Sequence, residues 1–159
     1  MQTTLRTHTC GELRPAHTGQ TVTLCGWVQG TRDLGYILFL DLRDRYGITQ
    51  VSIKSDAQAE IYEAARKLGR EFVITVTGRV AERESKNLKI ATGEIEIIPQ
   101  SLSLISAAKL PPFLIEDETD GSEELRMTYR YLDIRRPRMV KNLLLRAQVA
   151  RAVREYMDA

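Results

Sequence analysis

An aromatic ring set among charges is the first chemistry this sequence offers. In residues 36–43, YILFLDLR, strand periodicity turns Tyr36, Leu38, Leu40 and Leu42 one way and Ile37, Phe39, Asp41 and Arg43 the other. Phe39 therefore stands outside the leucine side, next to a carboxylate and a guanidinium. The same face collects Arg32 just ahead of that strand, Gln50 on the next strand and Glu96 on a later one. A ring stacks a flat ligand, a guanidinium forks onto oxygen acceptors, and an amide or carboxylate reads the edge of a base. Splayed bases of a single strand of nucleic acid call for that set. A sugar site could be built from the same parts.

Each residue also has an ordinary role open to it. A neighbouring loop can cover an outward Phe. Arg32 and Arg43 can pair with Asp33, Asp41 or Asp44 in a solvated ionic lattice of small energetic value. Gln50 and Glu96, taken singly, are routine polar strand positions, and only the shared face sets them apart. Trp27 falls on the outer register too, where, beside Gly26, it reads as a packing anchor beneath the N-terminal segment. A C-terminal cluster, Arg126, Arg130, Arg135, Arg136, Arg138 and Lys141, has the charge to meet phosphates. A plain solvated helix face, partly paired with Glu123, Glu124 and Asp133, accounts for it as well.

Composition bounds these options. The chain has 159 residues, 43% hydrophobic and 28% charged, enough for one real core and the start of a second unit. A net charge of +2 is too small for a protein that coats polyanions through bulk charge, so any nucleic-acid contact must come from local clusters. Cys10 and Cys25 have no metal-ligand spacing and are too few for a disulfide scaffold, which suits a reduced, cytoplasmic protein. His8 and His17 read as surface histidines, and no metal site is expected. The N-terminus lacks the apolar core of an export signal, and no apolar run approaches membrane-spanning length.

The elements that must position the face follow from periodicity and turn signals. Strands are expected over 21–29, 36–43, 48–54, 71–80 and 93–98, with a helix over 56–68 where Ala, Glu and Lys dominate. Five strands with a single helix after the third is the order of an OB-fold, a partly open barrel that often binds oligonucleotides. The fold class is thus mainly β: a five-stranded OB-fold barrel with one inserted helix, followed by a hinge and C-terminal helices. Residues 1–103 form the barrel, 104–125 a linker carrying Pro111-Pro112 and an acidic run, and 126–159 a helical segment. Pro137 marks a helix start, after which Met139, Leu143, Val149, Val153 and Met157 leave one apolar stripe. Such a stripe calls for a partner, either the barrel or the rest of a second domain.

The strings GWV, TRDLGYILFLDLRDRYGITQV, VTGRV, KN, ATGEIEI, LPPF and RYLDIRRP together closely resemble the start of bacterial-type aspartyl-tRNA synthetase, almost from Leu13 to Ala159. Asparaginyl- and lysyl-tRNA synthetases share the barrel and parts of these strings. The resemblance implies an N-terminal OB anticodon-binding domain, a hinge, and a class II catalytic domain that forms homodimers. It implies that the anticodon loop of the aspartate tRNA is the partner, with Phe39 stacking on the central uridine, Arg32 and Gln50 beside it, and Glu96 near the first base. Arg83 and Asn87 match the loop that closes over the anticodon, although this loop is shortened before ATGEIE. Gly30 and Thr31 stand where the family usually has further arginines, and Ala81 replaces another common basic residue, which implies weaker backbone contact. Leu34, with Asn87, resembles members that charge only the aspartate tRNA; members that also charge the asparagine tRNA often carry His at the Leu34 position.

The full enzymes join aspartate to tRNA with ATP and magnesium through an aspartyl adenylate. Ala159 falls within what resembles the helix that begins class II motif 1, so no catalytic residue, metal site or cofactor is expected in these 159 residues, and the polypeptide is expected to be inactive alone. The alternatives are the barrel of an asparaginyl or lysyl synthetase, or a free-standing OB binding module for protein or single-stranded nucleic acid.

Overall fold

The computed structural model describes residues 5–158. The chain divides between Leu110 and Pro111 into two compact units. The first contains β1 (Thr21–Asp33), β2 (Ile37–Arg43), β3 (Ile48–Lys54), α1 (Ala59–Arg66), β4 (Val73–Glu82) and β5 (Ile95–Ser106). These strands close into a barrel in the order β1-β2-β3-β5-β4, antiparallel except between β3 and β5. Closure removes the unpaired edges that an open sheet would expose.

The alternation read from sequence is the alternation that builds the core. Val22, Leu24 and Val28 of β1, Leu38, Leu40 and Leu42 of β2, Ile74, Val76 and Val80 of β4, and Ile95 and Ile97 of β5 are buried. Tyr62 and Ala65 of α1 join that cluster, as do Cys10 and Leu13 ahead of β1. β1 serves two partners: Thr21–Trp27 pairs with β4 and Trp27–Asp33 with β2. A register shift between Val28 and Gly30 marks the bend that allows this. Beside that bend, Glu71 adopts a left-handed φ of 63°, donates its N–H to the Val28 carbonyl at 2.8 Å, and grips Arg43 through both carboxylate oxygens at 2.7 and 2.9 Å.

Three expectations need correction. Tyr36 does not share the inward face of Leu38: it is 70% exposed, because it belongs to the turn before β2, ahead of the first paired residue. The fifth strand does not stop at residue 98 but runs to Ser106, because Val73–Thr77 of β4, already paired with β1 on one side, takes residues 101–106 on the other. The helix is shorter than 56–68, since Asp56 and Ala57 form a turn and Gln58 caps the start of α1.

The N-terminal segment is pinned to the β2–β3 turn by one carboxylate. Buried Asp44 accepts hydrogen bonds from the N–H groups of Cys10, Tyr46 and Gly47, and pairs with Arg6 at 3.2 Å. Arg32 and Arg43 therefore do not share Asp44 in a surface lattice.

The second unit contains α2 (Glu123–Thr128), α3 (Arg130–Asp133) and α4 (Pro137–Met157). Ser122 caps α2 by accepting from the Leu125 N–H at 3.2 Å, and Pro137 opens α4 as its sequence position predicts. The basic cluster is not a plain solvated face. Arg130 and Arg136 each reach Asp133 at 2.8 Å, Arg126 stands at 4.0 Å, and the Asp133 side chain is 2% exposed. Half of the cluster is thus spent on a buried carboxylate. Along α4, Leu143, Val149, Val153 and Met157 are all exposed.

Candidate nucleic-acid interface

Strand register, not proximity in sequence, assembles the polar face. Arg32 lies directly opposite Phe39 across the β1–β2 pair, and Phe39 lies opposite Ser52 across β2–β3. Asp41 lies opposite Gln50. The parallel pairing of Val51 with Ile97 then brings Glu96 beside residues 50 and 52. Buried Leu38 and Leu40 flank Phe39, Val51 and Ile53 flank Ser52, and Ile95 and Ile97 flank Glu96, so the alternate residues of these strands face away from the core.

Phe39 is half-buried on the outer face. The Arg32 guanidinium carbon sits 5.6 Å from the centre of its ring, a cation–π arrangement. Arg32 Nη2 donates to Gln50 Oε1 at 3.2 Å, and Gln50 Nε2 donates to Glu96 Oε2 at 3.0 Å. Ser52 Oγ donates to the same Glu96 oxygen at 2.5 Å. Arg32 also stands 3.8 Å from Asp41. Four of the residues singled out in the sequence, Arg32, Phe39, Gln50 and Glu96, are therefore one connected group.

The structure adds Ser52 to that group. It alternates with Gln50 on the same register, yet nothing in its type marks it as special. Gln50 and Ser52 are 3% and 1% exposed, so β3 is buried on both faces rather than presenting an open polar side. Buried amide and hydroxyl groups need partners, and here they satisfy one another and Glu96. This fixes their orientation before any ligand arrives. Arg32 retains guanidinium N–H groups beyond the one given to Gln50, and both hydrogen bonds to Glu96 use Oε2, which leaves Oε1 to accept from a ligand.

Arg83 and Asn87 lie in the β4–β5 connection, apart from that network. The Arg83 N–H bonds the Glu94 carbonyl, the Asn87 N–H bonds the Gly93 carbonyl, and Asn87 Oδ1 accepts from the Lys89 N–H at 3.1 Å. Lys86 braces this loop between Glu82 at 2.8 Å and Glu94 at 3.3 Å. Those contacts raise the Lys86 ammonium above its ordinary range, through hydrogen bonds first to Glu82 and then to Glu94, and lower the Glu82 carboxyl. Ala81 pairs opposite Glu96, and Arg83 is the first residue after β4. Among the described residues, no group of three or more His, Cys, Asp or Glu side chains could hold a metal ion. No helix among them is long and apolar enough to cross a membrane.

A closed five-stranded barrel with a pre-oriented stacking and hydrogen-bonding face is the form of a nucleic-acid-binding OB domain, and comparison with known proteins agrees. The OB-fold nucleic acid binding domain of the tRNA anticodon type matches residues 22–105, and tRNA synthetases of class II (D, K and N) match residues 122–159. The chain belongs to the anticodon-binding OB-fold family of these synthetases. It is 57% identical over 155 residues to the aspartate-tRNA ligase of Amoebophilus asiaticus, an alignment covering 97% of this chain and 27% of the relative. The chain thus spans about a quarter of the length of the curated relatives it matches. Among solved structures, asparaginyl-tRNA synthetase from Pyrococcus horikoshii complexed with asparaginyl-adenylate is 32% identical with a TM-score of 0.78, covering 94% of this chain and 33% of that one. Aspartyl-tRNA synthetase from Entamoeba histolytica, 22% identical with a TM-score of 0.80 over 90% of this chain and 35% of that one, shares the fold.

Proposed function

We propose that this polypeptide is the anticodon-reading part of an aspartate-tRNA ligase, and that its barrel face binds the anticodon loop of the aspartate tRNA. The observation that carries this reading is the Phe39 ring, turned outward beneath Arg32 and flanked by the Gln50–Ser52–Glu96 network. The central uridine stacks on Phe39, Arg32 and Gln50 meet its edge and backbone, and Glu96 Oε1 accepts from the first anticodon base. Arg83 and Asn87 close over the loop from the β4–β5 side. Leu34, 56% exposed in the turn after β1, would with Asn87 favour charging of the aspartate tRNA alone.

The whole enzyme attaches aspartate with ATP and magnesium in the cytoplasm, as a homodimer, through its class II catalytic domain. The described residues offer no carboxylate cluster for a metal ion, and no chemical step is assigned to them. Their work is recognition. The class II match spans aspartate, lysine and asparagine enzymes, so loops differing only at the outer anticodon bases decide among these three.

Titration of the chain with the anticodon stem-loop of the aspartate tRNA tests the reading. Phe39→Ala should weaken binding by about 1 to 3 kcal/mol, the value of one base stack. Affinity equal to that of the parent chain would remove Phe39 from the interface.

A further inference from the structure

We propose that Tyr62 of α1 is a positioning residue for RNA recognition: with Asp33 it forms a latch that holds the β1–β2 turn so that Arg32 is presented to the anticodon. The inference rests on the reading of the Phe39 face as the anticodon platform. Asp33 Oδ1 accepts from the Gly35 N–H at 2.8 Å and from the Tyr62 hydroxyl at 2.6 Å, while Oδ2 faces Arg66 Nε at 3.2 Å. The Tyr62 hydroxyl also lies 3.1 Å from the Gly35 carbonyl. Gly35 has a φ of 85°, the left-handed conformation that a tight turn requires and that other residues resist.

Little apolar burial supports this turn. Leu34 and Tyr36 are 56% and 70% exposed, and a cleft of about 360 Å³ lined by Ser55, Glu63 and Arg66 opens beside it. Hydrogen bonds must therefore hold it. Its far limb is tied to the end of β3, where the Ser55 N–H and hydroxyl both donate to the Tyr36 carbonyl at 3.0 and 3.2 Å. Its near limb, Asp33, pairs with Leu38 at the end of the β1–β2 ladder, and its carboxylate is bonded to Gly35 of its own turn and to Tyr62 and Arg66 of α1. Tyr62 belongs to the buried core cluster, so the latch connects the packed core to the residue next to Arg32. Arg32 in turn reaches Phe39 and Gln50. The Tyr62 hydroxyl, followed by the Gly35 N–H, holds the Asp33 carboxyl below its ordinary range, as a hydrogen-bonded carboxylate requires.

A double-substitution cycle tests the latch on the intact chain, with binding to the aspartate anticodon stem-loop as readout. Tyr62→Phe should weaken binding about threefold to tenfold, the usual net worth of one hydrogen bond. In an Arg32→Ala background the same change should cost less than about twofold, because positioning has nothing left to position. Asp33→Ala cuts the latch at the exposed turn without touching the core and should show the same dependence on Arg32. Equal losses in both backgrounds, or no loss from either substitution while Phe39→Ala still weakens binding, would overturn the latch and leave the platform standing. If Phe39→Ala also leaves binding intact, platform and latch fall together.

Discussion

At the scale of single residues, the interface depends on a few atoms whose orientation is settled in advance. Gln50 and Ser52 are buried and bonded to Glu96, so in the proposed interface these groups would lose little further freedom on meeting a base. The charge on this face is sparse by comparison. Gly30 pairs opposite Asp41, and Arg32 opposite Phe39, so Gly30 and Arg32 point the same way. Its φ lies outside the left-handed region, and a Cβ built there would meet nothing within 4 Å. Gly30→Arg should therefore fold normally and add one cation beside the platform. Anticodon-loop affinity should rise, and the log-log salt slope should steepen by about 0.7, the value for one more phosphate neutralised on a single strand. An unchanged slope would mean that the new guanidinium pairs with Asp41 instead of RNA. Phe39 was legible in the sequence because a ring among charges is unusual on an alternating strand, while Gln50 and Glu96 stood out only through the face they share with it. Ser52 and Tyr62 were not legible, because a serine among polar neighbours and a tyrosine on a helix look ordinary until their partners are known.

At the scale of elements, the strand positions follow from alternation while the strand lengths follow from pairing. The serines and leucines of residues 101–106 read as the start of a linker, yet they form the second half of β5 because β4 presents an open edge to them. The fit there is close. β4 and β5 shift register between Thr77 and Gly78, and a Cβ on Gly78 would lie 2.4 Å from the Ile98 carbonyl and 2.8 Å from Pro99 Cα. Backbone cannot yield as a side-chain tip can, so Gly78→Ala should destabilise the domain by about 1 to 3 kcal/mol, the cost of overpacking. A urea midpoint equal to that of the parent chain would contradict this. The short helices show the same division. Pro137 announces a helix start locally, and the pairing of Arg130 and Arg136 with Asp133 spans only three residues each way, but the burial of Asp133, which draws in Arg126 as well, is a property of the folded unit.

At the scale of the whole molecule, pH should leave recognition unchanged over a wide window. The Asp33 carboxyl is depressed, chiefly by the Tyr62 hydroxyl, so its stabilisation is fully present above the unfolded value of about 3.9 and is lost as pH falls through the lower folded value. The Tyr62 phenol is raised, chiefly by its hydrogen bond to Asp33, so its contribution is fully present below about 10 and is lost as pH climbs through the higher folded value. Anticodon-loop affinity and the thermal midpoint should both stay flat between about pH 5 and 9. A break near pH 6 to 7 in either measurement would show that a group other than this pair controls the interface.

Read alone, the sequence determined the faces. A period of two sorts leucines from Phe39 and Gln50 wherever a strand forms, and the order of five strands and one helix names the barrel, because both are properties of neighbouring residues. Only the tertiary structure decided which outward residues meet. Gln50 and Glu96 are 46 positions apart, and Tyr62 and Asp33 are 29 apart. Their contacts exist because barrel closure sets β3 against β5 and seats α1 under the β1–β2 turn, and no local pattern encodes a register fixed by packing between distant strands.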